Sequence, residues 1–75
     1  MSVTIHWRPI SKQEKHFSGG TSTSFERLKS ALGTHLSSHD VPRLRAMRIA
    51  ANDDFYDEVA DMIERVGDIE IWGEY

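Results

Sequence analysis

The chain has 75 residues, no cysteine, 39% hydrophobic and 28% charged side chains, and a formal net charge of −3. That length suits one small domain burying about 60% of its unfolded surface, and the absence of cysteine excludes disulfides and thiolate zinc sites. No apolar run approaches the roughly 18 residues of a membrane span and Met1-Ser2-Val3-Thr4 has no secretion-signal pattern, so the expectation is one soluble, cytoplasmic domain over residues 1–75.

The first element is a strand. Val3-Thr4-Ile5-His6-Trp7-Arg8 alternates with period two, so Val3, Ile5 and Trp7 face a core and Thr4, His6 and Arg8 face outward. Pro9 has no N–H for a ladder, so it ends the strand or leaves that end at an edge. Residues 10–22 read as a loop, loosest at Ser18-Gly19-Gly20.

A helix then opens on a capping box, Thr23 with Glu26. Its apolar stripe is Phe25, Leu28 and Leu32, with Leu36 next in phase. Gly33 is a stop signal that would leave Leu36 in a turn. A second helix starts at the N-cap Asp40 with Pro42 in its first turn. Leu44, Met47, Ala50 and Ala51 form its apolar side, and Arg45 and Arg48 share the opposite side. Ile49 fits that wheel poorly, and a strand through residues 44–49 is the competing assignment.

The third helix has the sharpest pattern. Asn52 or Asp53 caps it, Phe55, Val59, Met62, Ile63 and Val66 form its stripe with Tyr56 on the edge, and Gly67 ends it. Asp68 to Tyr75 alternates again, with Ile69 and Ile71 inward and Glu70, Trp72 and Glu74 outward. The order strand-helix-helix-helix-strand predicts an α+β fold. The two terminal strands pair and the helices pack on one face. His6 and Arg8 then meet Glu70 and Glu74 across the ladder.

Charge is unevenly placed. Residues 53–75 hold nine acids against Arg65, and residues 1–52 hold eight bases against three acids, a division of −8 and +5. Asp54, Asp57, Glu58, Asp61 and Glu64 line the outer side of the third helix, with Arg65 four residues after Asp61 to relieve one of them. Such a face reads as a docking surface for a basic protein partner or a mimic of nucleic-acid phosphates, and its commoner meaning is a solvated face. Trp72 on an outer sheet face is either a partner anchor or covered by the 10–22 loop.

Other constellations are weaker. Ser18 to Thr23 ahead of a helix could hold an anion, but the phosphate-loop residues are missing and a polar linker suffices. His35 and His39 have a zinc-chelating helical spacing, yet stop signals bracket them. His6 and His16 with Lys12, Lys15 and Arg8 could form an acid–base patch, but no nucleophile pairing accompanies them. Arg43, Arg45 and Arg48 are the candidate contacts of a nucleic-acid binder, for which the chain lacks a strong basic excess or a motif; with the neighbouring helix of opposite sign, internal salt bridges or solvation are their commoner role.

The expectation is therefore a small protein–protein interaction module, an adaptor, regulator or inhibitor, without metal or cofactor. Its contact residues would be Asp54, Asp57, Glu58, Asp61, Glu64 and Trp72. The alternatives are a nucleic-acid binder using Arg43, Arg45 and Arg48, or a histidine-based enzyme or metal protein. A homodimer through a strand edge is open as well.

Overall fold

A computed structural model describes residues 4–10, 17–21 and 24–74, with residues 17–21 described by backbone alone. The elements are β1 (Thr4–Pro9), β2 (Phe17–Thr21), α1 (Ser24–Leu32), β3 (His35–Leu36), a 3-10 turn (Ser38–Asp40), α2 (Val41–Ala51), α3 (Phe55–Val66) and β4 (Ile69–Glu74). Val3, the loop bases Lys12 and Lys15, His16 and the Thr23 cap lie outside the described residues.

The predicted α+β class holds, with helices packed on the sheet and the terminal strands paired. β1 and β4 are antiparallel over their whole length, from Thr4 opposite Glu74 to Pro9 opposite Ile69. The sheet is larger than expected, because its order is β2-β1-β4-β3. Residues 17–21, read as loop, pair with β1 through an irregularity between Thr4 and His6. A Phe-Ser-Gly-Gly-Thr segment has little intrinsic strand preference, so neighbouring backbone decides its conformation. Leu36 lies in β3 rather than in a turn, where it is 1% exposed and opposite Ile69. Pro9 is the last residue of β1, beyond the part that pairs with β2.

The helices end where the glycines predict. Gly33 has φ 84° and its N–H reaches the Lys29 carbonyl at 3.0 Å. Asn52, φ 52° and ψ 48°, is not the cap of α3 but the left-handed C-cap of α2. Asp53 is not the N-cap either: Asp54 holds that position without a side-chain cap hydrogen bond, and Asp53, one residue earlier, accepts the Phe55 N–H through its Oδ1 at 3.0 Å. Asp40 precedes α2, but its carboxylate accepts the Ser37 N–H at 2.8 Å and so caps the 3-10 turn. Residues 44–49 are helix, which removes the strand alternative.

The core lies between the sheet and the helices. Ile5, Ile69 and Ile71 meet Phe25, Leu28, Leu44, Phe55, Val59 and Ile63, with Trp7 partly buried against them. Tyr56, expected on an edge, is 0% exposed. Each buried aliphatic or aromatic side chain contributes about 1.5–3 kcal/mol by leaving water. Ser24 is the buried polar residue at the start of α1, and its hydroxyl donates to the Asp53 carboxylate. That bond ties α1 to the turn that leads into α3.

Candidate functional site

The α2–α3 hairpin gathers the charges. The pattern of α3 buries Phe55, Tyr56, Val59, Ala60, Met62 and Ile63, which turns Asp54, Asp57, Glu58, Asp61 and Glu64 outward. On a helix, like charges at i,i+4, such as Asp54 with Glu58 or Asp57 with Asp61, cost roughly 0.2–0.5 kcal/mol per pair. The sequence left these carboxylates unpaired except Asp61, and made internal salt bridges to the neighbouring acidic helix, or solvation, the expected role of Arg45 and Arg48. In the structure four of the five carboxylates are answered by those two arginines.

Arg45 crosses to α3 and lies 3.3 Å from Asp57 Oδ1 and 2.8 Å from Asp61 Oδ1, with Glu64 also in contact. Its guanidinium also donates to the Asp57 carbonyl at 3.4 Å. Arg48 lies 3.0 Å from Asp54 Oδ1 and 3.5 Å from Asp57 Oδ2. The hydrogen bond that Arg45 donates to Asp61 raises the Arg45 pKa above its ordinary value; burial opposes that, and Asp57 and Glu64 add to it. The ladder therefore alternates carboxylate and guanidinium along the groove between the helices. Arg65, expected to relieve Asp61, instead donates to Met62 Sδ at 3.6 Å.

The arginines reduce the repulsion without cancelling it. Five carboxylates and two guanidiniums leave this flank at −3. Asp54, Asp61 and Glu64 side chains remain 79%, 68% and 58% exposed. Glu58 is exposed and has no ion-pair partner among the described residues. Pairs this exposed contribute little stability, about 0–1 kcal/mol each, so they serve mainly to order the outer side chains.

Trp72 does not join this surface. Ile69 and Ile71 face the helices, so the pleat turns Trp72 to the opposite face of the sheet. There it stands directly across from His6, whose ring stacks on the indole at 5.5 Å and 17°. The Arg8 guanidinium lies 5.6 Å from the indole centre and pairs with Glu70 at 2.8 Å. His6 Nε2 is 3.4 Å from Glu74. The predicted cross-strand charge meeting is thus present, and Trp72 is half-buried, with His6 and Arg8 of β1 against its ring. Alternation alone could place these residues on one face; the His6–Trp72 stack depends on strand register.

The other candidates separate. His35 is exposed on β3 and His39 sits in the 3-10 turn, so their spacing is not a helical one. Among the described residues no group of three or more His, Asp or Glu is arranged to hold a metal. Arg43 is exposed on α2 and has no carboxylate partner among the described residues, whereas Arg45 and Arg48 are engaged by α3. No helix among the described residues is long and apolar enough to cross a membrane. Comparison with protein-family models, curated proteins and solved structures finds no match.

Proposed function

We propose that this chain is a protein-interaction module, an adaptor, regulator or inhibitor, that docks a basic partner through the outer flank of α3. The observation supporting this reading is the over-balanced ladder of five carboxylates on two guanidiniums, with the outermost carboxylates well exposed. A lone row of acids on a mobile surface would be a diffuse field. Here Arg45 and Arg48 hold four acidic side chains in place while leaving oxygen lone pairs open to a second cation. Complementary charge of this kind speeds encounter and suppresses wrong partners more than it adds affinity. The same pairs weigh against nucleic-acid binding through Arg45 and Arg48, since phosphate would have to displace carboxylates already in place.

The test is capture from the native host extract with the wild-type chain and with a Glu58→Gln, Asp61→Asn, Glu64→Gln variant. The reading expects a retained protein that is released by salt and not captured by the variant. Circular dichroism checks that the variant remains folded. Capture that is equal for both proteins at low ionic strength overturns it.

A further inference from the structure

The second helix is apolar on two sides. Leu44, Met47 and Ala51 pack on the core. Pro42, Ala46, Ile49 and Ala50 are exposed, Ile49 to 75%. Their spacing of four, three and one places them on one stripe along the helix. A single exposed isoleucine is ordinary, but this stripe carries no charged side chain of its own and lies between Arg43 and Arg45. Arg43 is the one charged side chain among the exposed residues of α2, because Arg45 and Arg48 are turned onto the α3 carboxylates. A surface helix normally carries its polar residues on the side away from the core; on α2 that side is an apolar stripe and the arginines flank it.

What covers it is indicated by its borders. Arg45 and Ile49 are i,i+4 neighbours on the helix surface, so the apolar stripe runs beside the acidic ladder. We propose that the outer face of α2 and the α3 carboxylates form one docking surface for a basic amphipathic helix of a partner protein. Apolar side chains of that helix would lie on Ala46 and Ile49, where the small residues Ala46 and Ala50 permit close approach. Its lysines or arginines would reach Asp54, Asp61 and Glu64. This proposal rests on the reading of the α3 flank as a docking surface and adds the apolar half and the form of the partner. A second copy of the chain fits less well. In an isologous antiparallel pairing of α2 with α2 the two-fold axis sets each acidic ladder against the other, and like charges then meet.

The test measures binding of two synthetic peptides of equal positive charge, a helical Leu/Lys peptide and a Lys/Gln peptide, by fluorescence anisotropy at low ionic strength. The wild-type chain is expected to bind the Leu/Lys peptide about tenfold more tightly, the scale of burying one aliphatic side chain. Ile49→Gln removes an exposed side chain and keeps the charge, so it is expected to abolish that preference while leaving Lys/Gln binding unchanged. If Ile49→Gln keeps the preference, or wild type shows none, while Asp61→Asn with Glu64→Gln weakens both peptides, the apolar half is overturned and the acidic reading stands. If neither peptide binds, both readings are overturned. A wild-type dimer in sedimentation that Ile49→Gln dissociates identifies the occupant as a second copy and also overturns the proposal.

Discussion

Tyr56→Phe is expected to stabilise the chain, against the usual sign for a buried tyrosine. Tyr56 lies in the first turn of α3 at 0% exposure, and its hydroxyl is buried with no hydrogen-bond partner among the described residues. In most cores this substitution removes a hydrogen bond with a net contribution of about 0.5–1.5 kcal/mol. Here the hydroxyl loses its water on folding and receives no bond in return, a cost on the order of 1–3 kcal/mol. Removing one oxygen leaves a small void that offsets part of the gain. The net expectation is a stabilisation of about 1 kcal/mol. For a domain of this size that corresponds to a rise in Tm of about 4–8 °C. Urea unfolding with an unchanged m-value is the cleaner measurement, since a changed slope would report on the denatured state. A loss of stability of about 1 kcal/mol at constant m would refute the reasoning, because it would mean that the hydroxyl is hydrogen-bonded in solution. The outcome also bears on the site, since Tyr56 is the core anchor adjacent to Asp57 of the ladder.

Two further predictions concern the ends of α3. The Ser24 hydroxyl, with the Phe55 N–H and more weakly Arg27, holds the Asp53 pKa below the ordinary carboxyl range, against a smaller opposing effect of burial. Because the folded value is the lower one, the stabilisation is complete above the unfolded carboxyl pKa of about 3.9 and is lost as pH falls through the folded value. Wild type should therefore exceed Asp53→Asn in stability at neutral pH by a margin that narrows below about pH 4. A gap that stayed constant on acidification would show that Asp53 is not held as the carboxylate. At the other end Gly67 has φ 88° and ψ −156°, and a Cβ there would meet nothing within 4 Å. Gly67→Ala should thus cost about 1–3 kcal/mol in thermal unfolding through backbone strain alone; a change of a few tenths would contradict that conformation.

Much of the fold was legible along the chain because its determinants are local. Period-two alternation marked β1 and β4, a helical stripe marked α3, and Gly33 and Gly67 stopped their helices through positive φ. The α3 carboxylates were placed on the outer side by the same periodicity, since burying Phe55, Val59 and Ile63 leaves them no other direction. Alternation also set His6 and Arg8 against Glu70 and Glu74, although it did not indicate that the His6 ring would cover Trp72.

The rest depended on partners distant in sequence. Residues 17–21 became a strand because β1 offered an open edge, and nothing in Phe-Ser-Gly-Gly-Thr announces that. The direction in which Arg45 and Arg48 point cannot be read from their own helix; it follows from α3 folding back beside α2 and offering Asp54, Asp57, Asp61 and Glu64 within reach. The sequence by itself determined that this chain would carry a helix with an acidic outer face and two pairing terminal strands, because periodic burial and backbone dihedrals act over a few residues. Only the tertiary structure decided that the acids share the surface with two arginines and that the His6 ring stacks on Trp72. It also left the second face of α2 open, because packing joins groups that sequence spacing does not relate.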